Sequence, residues 1–217
     1  MSPNGTNPPA VLSNPTGSRP QDHVDPDAGL VAATQQGDLN AFEALVAKHQ
    51  KRMLNIAFRL IDDHEEACEV VQDAFVSAYR SIRTFRGEAK FTTWLTTITV
   101  NLSKNRLTQL RSRKRREAYS LDAPIMTDDG ELTPDPPSRE PSALDRMITR
   151  DVQKSVQDCI KALEPDFREV LVLRDMQDFP YDEIGGMLKM REGTVKSRLS
   201  RAREMVRECL KKFMGEL

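Results

Sequence analysis

YDEIGGMLKMREGTVKSRLSRAREMVRECL, residues 181–210, is the stretch whose reading decides the fold. Tyr181-Asp182-Glu183-Ile184 opens a short helix with Ile184 and Leu188 on its inner face. Lys189-Met190-Arg191-Glu192-Gly193 is a tight turn containing a glycine. A longer helix follows, with Val195, Leu199, Ala202, Val206 and Leu210 recurring at helical spacing. Two short helices, a short turn and a second helix rich in outward polar groups describe a helix-turn-helix. In such a unit the start of the second helix enters the major groove, where side chains reach base edges and phosphates. The outward residues near that start are Thr194, Lys196, Ser197, Arg198, Arg201 and Arg203. Residues 189–212 hold nine basic and three acidic side chains, a net +6. Upstream, Leu163-Glu164-Pro165 opens an apolar helix carrying Phe167, Val170, Leu171, Leu173 and Met176.

Outward from this unit the chain is segregated. It has 217 residues with 32 Lys and Arg against 33 Asp and Glu, a net charge of −1 that by itself argues against a nucleic-acid partner. Of the 13 prolines, six lie in residues 1–28 and five in 117–146, so both stretches read as tail or linker. They leave two ordered blocks, 29–116 and 147–217. The net charges of the four segments in chain order are −2, +6, −6 and +1. A basic block, an acidic tether and a second block with its own polarity are hidden inside the neutral average.

The block 29–116 reads as helices throughout. Asp38 is placed to cap a helix bearing Phe42, Leu45, Val46, His49, Met53, Ile56, Ala57 and Leu60. Asp62 or Asp63 caps the next, with Glu65 or Glu66 completing a capping box. Its inner face carries Ala67, Val70, Val71, Ala74, Phe75 and Ala78, and it ends near Phe85-Arg86-Gly87. A third helix starts around Thr92 or Thr93, buries Trp94, Leu95, Ile98 and Leu102, and runs into seven cations between Lys104 and Arg116 without an acid. The loop SIRTFRGEAKFTTWL (81–95) interleaves Phe85, Phe91 and Trp94 with Arg83, Arg86 and Lys90. Rings stack on unpaired bases for ~1–3 kcal/mol per base while cations track phosphates, so this loop suits single-stranded nucleic acid. Spacing favours a core position for Trp94 and leaves Phe85, beside Gly87, as the exposed ring. The expected fold class is all-α: two small helical domains joined by a flexible acidic linker.

Other function classes lose support on the same evidence. No run approaches the ~18 apolar residues of a spanning helix. No basic region followed by an apolar core opens the chain, so no secretory signal is expected. Cys68, Cys159 and Cys209 lie far apart without a CxxC pair; they suggest neither a zinc cluster nor a disulfide framework, and reduced thiols in a cytoplasmic protein are expected. His23, His49 and His64 are scattered, and no glycine-rich phosphate loop exists. The chain is therefore expected to be no enzyme, with no cofactor and no metal. A DNA-binding regulator that uses only its helix-turn-helix, with 29–116 as a sensor, is the competing class. It would bind duplex DNA unaided.

Five motifs in order resemble the bacterial sigma-70 family in its extracytoplasmic-function (ECF) group: GDLNAFEALV (37–46), EVVQDAFVSAY (69–79), FRGEAKFTTWL with Asn101 beyond it (85–101), LEPDFREVLVLRD (163–175), and YDEIGGML followed by GTVKSRLSRARE (181–204). Residues 1–28 match nothing in the family pattern, and Gly185-Gly186 stands where alanines are usual. The resemblance implies sigma region 2 over 29–116 and sigma region 4 over 147–217. It implies that Glu69, Gln72, Asp73 and Phe75 meet the clamp of the largest subunit of core RNA polymerase. It further implies that Arg83, Phe85, Arg86, Lys90, Phe91, Asn101 and Lys104 recognise and melt the promoter −10 element. Thr194, Lys196, Ser197, Arg198, Arg201 and Arg203 would read the −35 element, with region 4 on the polymerase flap. Such factors are commonly held by an anti-sigma partner, and no membrane insertion is implied.

Overall fold

The computed structural model describes residues 25–118 and 143–214. Most of the tail expected over 1–28 and of the linker expected over 117–146 therefore lies outside the described residues. The order is α1 (Ala28–Gln35), α2 (Leu39–Ile61), α3 (His64–Ser81), a 3-10 turn (Ile82–Thr84), α4 (Phe91–Ala118), α5 (Ala143–Ala162), α6 (Pro165–Leu171), a π-helical continuation (Val172–Met176), α7 (Tyr181–Leu188) and α8 (Glu192–Met214). No strand occurs among the described residues, and the all-α expectation holds.

Helix starts follow local chemistry. Asp38 accepts from the backbone N–H groups of Asn40 and Ala41 and caps α2. Asp63, rather than Asp62, caps α3 by accepting from Glu66 N–H. Asp62 instead ends α2 in the left-handed region, φ 59°. The helices α2, α3 and α4 pack around Leu45, Met53, Ile56, Leu60, Ile82, Phe91 and Leu95, all 2% exposed or less.

The first ordered block begins earlier than the proline-rich composition suggested. Asp27 is fully buried; its carboxylate lies 2.5 Å from Lys48 Nζ and 2.8 Å from His49 Nε2. Asp25 accepts from Phe91 N–H at 2.6 Å and so takes up an orphan donor at the start of α4. Asp25 and Asp27 thus fasten the chain onto α2 and α4.

The C-terminal helices surround Leu163, Val170, Val172, Leu173, Ile184, Val195, Leu199 and Ala202. The turn between α7 and α8 differs from the sequence reading in one respect. Gly193 lies inside α8, and the left-handed residue is Lys189, φ 53°. The two glycines of α7 also turn out to be unequal. A Cβ on Gly185 would lie 2.8 Å from the carbonyl oxygen of Met190, a backbone atom that cannot step aside, whereas one on Gly186 would meet nothing within 4 Å.

Cys159 and Cys209 form a disulfide between α5 and α8, with Cα atoms 5.7 Å apart and a sequence separation of 50. This corrects the expectation of reduced thiols throughout. The spacing in sequence carries no sign of a pairing that exists only because α5 lies against α8. Closing so long a loop contributes on the order of 4 kcal/mol in the chain-entropy account. Cys68 is free.

The glycine contrast gives a paired expectation. Gly186→Ala should raise the thermal stability by up to ~1 kcal/mol, since it only removes backbone freedom from the unfolded chain. Gly185→Ala should lower it, because the turn after α7 must move. Thermal denaturation of the two variants side by side checks the opposite signs.

Candidate nucleic-acid and polymerase interfaces

The loop between α3 and α4 is built on a floor of aromatic rings. Phe91 is fully buried, with the Phe85 ring edge-on at 6.2 Å and Trp94 at 5.8 Å; Phe85 and Trp94 lie 4.9 Å apart. Phe91, expected to touch DNA, is thus a core residue of the loop. Its burial follows from its place as the first residue of α4, over the His49 ring at 5.6 Å. Phe85 is half-buried, and Arg83, Arg86 and the Gly87 tip (φ 71°) are exposed, with Lys90 at an intermediate position. Gln35 on α1 braces the base of the loop by donating from Nε2 to the carbonyls of Ile82 and Phe85, each at 2.9 Å. Sequence reasoning missed Gln35 and Asp25, because a brace 47 residues upstream carries no local pattern.

Asn101 and Lys104 are exposed on α4. Lys104 is engaged: its Nζ donates to Glu169 Oε2 at 3.0 Å, across to the C-terminal helices. Glu169 is almost fully buried. Burial pushes its carboxyl above the ordinary value, while the hydrogen bond and charge of Lys104 pull the other way. Farther along α4, Arg106 reaches back to Glu66 at 2.7 Å and to Glu69.

On α3 the exposed stripe is Glu69, Gln72, Asp73, Val76 and Tyr79. Phe75 does not belong to it. At 7% exposure its ring stands edge-on to Phe42, 6.5 Å away, supporting the stripe from beneath. The apolar part of this face is instead Val76 and Tyr79, 47% and 43% exposed. Their spacing from Gln72 made them readable as surface, but nothing in the sequence marked them as an apolar patch.

On α8, Thr194, Ser197 and Arg201 form one outward stripe at helical spacing. Arg198 flanks it on one side, 2.9 Å from Asp166. Lys196 and Arg203 flank the other. Lys196 sits 5.3 Å over the Tyr181 ring and 2.5 Å from Glu192, and Arg203 holds Asp175 through two bonds of 2.8 and 2.5 Å. Among the six cations and hydroxyls expected to read DNA, Arg201 is the arginine without an ion pair in the described residues.

The two helical modules meet along a polar seam. Arg52 donates to Gln177 Oε1 at 3.0 Å and to its carbonyl at 2.7 Å, and lies over Phe179. Thr93 donates to Glu183 at 2.5 Å. Asp62 accepts from Gln157 at 2.9 Å and pairs with Lys161 at 2.7 Å. The buried Arg168 donates to the carbonyls of Leu60 (2.7 Å) and Leu163 (3.0 Å) and to that of Lys161.

Among the described residues no group of three His, Cys, Asp or Glu side chains is placed to hold a metal, and no helix is long and apolar enough to cross a membrane. Two basic helical surfaces, one beside an aromatic loop and one on a helix-turn-helix, define a nucleic-acid-binding protein. Comparison with known proteins narrows the class. Residues 45–116 match Sigma-70 region 2 and residues 153–206 match Sigma-70, region 4. The chain is 35% identical to the RNA polymerase sigma-H factor of Pseudomonas aeruginosa over 192 residues, 88% of this chain and 96% of that protein. It is 34% identical to the ECF RNA polymerase sigma-E factor of Haemophilus influenzae over 188 residues, 87% and 97% of the two chains. In fold it is similar to the sigma factor RpoE from Bartonella quintana, solved in complex with the anti-sigma factor NepR, with a TM-score of 0.59, 24% identity and coverage of 80% and 98%. It is likewise similar to CnrH, solved with the cytosolic domain of CnrY, with a TM-score of 0.60, 24% identity and coverage of 86% and 97%. The chain belongs to the sigma-70 family, in its ECF group. It is a promoter-specific initiation factor of RNA polymerase and not an enzyme.

The raised Glu169 gives a pH dependence of definite sign. The folded chain holds the Glu169 proton more tightly than the unfolded chain does. Between the ordinary carboxylate value and the raised one, stability from this group therefore falls as pH rises. Glu169→Gln should flatten that part of the stability-against-pH curve and leave the chain at least as stable at neutral pH, since a partly exposed Lys104 is easily rehydrated. Denaturant titrations from pH 4.5 to 7.5 read the slope.

Proposed function

We propose that the two modules divide promoter recognition between them in the cytoplasm. Residues 25–118 act as region 2, which opens the −10 element, and residues 143–214 as region 4, which reads the −35 element. The observation that carries this is the loop of residues 85–90. Its aromatic floor is fixed by Asp25, Gln35 and His49, while its rim offers Arg83, Arg86, Lys90 and, on α4, Asn101. Extruding a base costs a few kcal/mol, and a rigid cradle with cations and a half-exposed ring can offset it. The exposed stripe of α3, with Gln72, Asp73, Val76 and Tyr79, is the face for the polymerase clamp. The resemblance to the RpoE and CnrH complexes supports an anti-sigma partner.

Elements centred near −10 and −35 are separated by about 25 base pairs, ~85 Å of duplex at ~3.4 Å each. Packed together, residues 25–118 and 143–214 correspond to a radius of gyration of about 15 Å, a body only ~40 Å across. The seam between the modules must therefore part before both elements are engaged, which frees Lys104 from Glu169 for DNA. Polar seams of this kind are suited to opening, because each group regains water as it leaves its partner.

Run-off transcription with purified core polymerase tests the reading: a transcript from a promoter bearing both elements is expected, and no promoter-specific transcript on any template would overturn it. Arg201→Ala should weaken discrimination at the −35 element by ~1–3 kcal/mol, seen as a roughly tenfold or greater loss against −35 variants. Arg52→Ala with Gln177→Ala should shift the free factor toward separated modules, measured as lower energy transfer between dyes placed on α3 and α8.

A further inference from the structure

The disulfide poses a question the transcription role does not answer. Cytoplasmic proteins keep their thiols reduced, and the disulfides they do form are usually transient and redox-sensing. Cys159 and Cys209 are nevertheless placed for bonding by the packing of α5 on α8. Their Cα separation of 5.7 Å is ordinary for a disulfide. The two sulfurs are unequal. Cys159 is 1% exposed between Ile160 and the core, whereas Cys209 is half-buried.

The bond also joins two functional parts. α8 carries the −35 stripe. α5 carries Gln157 and Lys161, which hold Asp62 on the N-terminal module, and Gln157 also accepts from Arg59 at 2.5 Å. Val156 and Val206 are the apolar groups flanking the bond on the two helices, and both are only partly buried. Ile160, next to Cys159, is buried in the core, so the bond lies at the edge of the apolar contact between α5 and α8 and adds a covalent tie where that packing thins.

We propose that Cys159 and Cys209 are a reversible redox site that staples the −35-reading module, oxidised by a peroxide and reduced by a cytoplasmic dithiol. The Cys209 thiolate attacks one oxygen of hydrogen peroxide and the O–O bond breaks, leaving a Cys209 sulfenic acid and a hydroxide that takes up a proton to become water. The Cys159 thiolate then attacks the Cys209 sulfur; the S–S bond forms, the S–O bond breaks, and the departing hydroxide is protonated to a second water. Two thiols lose two electrons, and one peroxide becomes two waters. In the reverse direction a dithiol attacks the disulfide, passes through a mixed disulfide, and is itself oxidised. Oxidation makes α5 and α8 one unit; reduction leaves the turns of α5 before Cys159 free to part from the end of α8 while Ile160 and Leu163 stay in the core of the helix-turn-helix.

The functional half of this inference rests on region 4 reading the −35 element, and the experiment separates the two. Full-length protein carrying Cys68→Ser is reduced, desalted and treated with equimolar hydrogen peroxide. Peptide mass spectrometry should find a 159–209 crosslink formed with one peroxide consumed per bond. A glutathione mixture at a cytoplasmic ratio, with a thioredoxin-class dithiol, should remove it. The thermal transition should rise by about 10 °C on oxidation. Hydrogen exchange should slow along residues 152–162 and 204–214 and stay unchanged along α2 and α3. Cys159→Ser and Cys209→Ser should match the reduced parent and ignore peroxide. After heat challenge, only the oxidised parent should retain −35-dependent run-off transcription with core polymerase.

Sulfinic acid or intermolecular dimers in place of the crosslink would overturn the proposal. So would a bond that persists under the reducing mixture, or a crosslink that leaves the melting and exchange unchanged. If instead the crosslink, melting and exchange behave as expected while both redox forms fail on −35 promoters alike, the redox site stands and the −35 assignment of region 4 falls.

Discussion

The seam between the two modules turns on one buried cation. Arg168 is 5% exposed, and burial pulls its guanidinium down from its ordinary value, yet it keeps its charge by donating to carbonyls of both modules. The carbonyl of Leu60 lies at the last turn of α2, where no intrahelical donor remains for it. That of Leu163 lies at the corner between α5 and α6. One side chain thus satisfies two helix ends that burial would otherwise leave without partners. A carboxylate there would have clamped the modules as an ion pair; carbonyl acceptors hold them while they are together and are readily exchanged for water when they separate. Arg52 repeats this choice on the side-chain amide and carbonyl of Gln177, whereas Lys161–Asp62 and Lys104–Glu169 cross the seam as ion pairs.

What the sequence disclosed followed from periodicity and composition. The helix-turn-helix, the capping aspartates Asp38 and Asp63, and the segregation of charge were all legible because each is local. The errors share a cause as well. Phe75 and Phe91 lie in motifs that elsewhere meet partners, and motif membership does not tell which side of a helix a ring falls on once three helices converge. Phe91 is drawn inward by His49 and Trp94, and Phe75 by Phe42, contacts between residues 33 or more positions apart except for Trp94. The disulfide was invisible for the same reason. Composition likewise placed Asp25 and Asp27 in the tail, although each has a long-range partner that fixes it.

The block charges gain meaning from the seam. Region 2 carries a net +6, but several of its cations are occupied internally: Lys104 by Glu169, Arg106 by Glu66 and Glu69, Lys48 by Asp27. On α8, Lys196, Arg198 and Arg203 are held by Glu192, Asp166 and Asp175. The three pairs on α8 are largely exposed and individually worth little, ~0–1 kcal/mol, whereas the carboxylates of Glu169 and Asp27 are buried. Their effect is on orientation and release. A guanidinium already aligned by a carboxylate reaches a phosphate without a long search, and exchange of one anion for another is nearly balanced. Cations so arranged are easily redirected and are not idle beforehand.

The same logic bears on how the −10 loop can act. Its rings are mutually packed, so an extruded base cannot slide between Phe91 and Trp94 without opening the core beneath them. The rings left for stacking are Phe85 and Trp94, both half-exposed at the edge of the floor, with the positive-φ Gly87 turning the backbone two residues after Phe85. Capture would then depend on the backbone and cations of residues 85–90 closing around the base, while Asp25 and Gln35 keep the two ends of the loop from following it. A braced floor with a short exposed rim loses less conformational entropy on binding than a loop ordered throughout by its ligand. Specificity would accordingly reside in the rim, where sequence can vary without disturbing the helices that carry it.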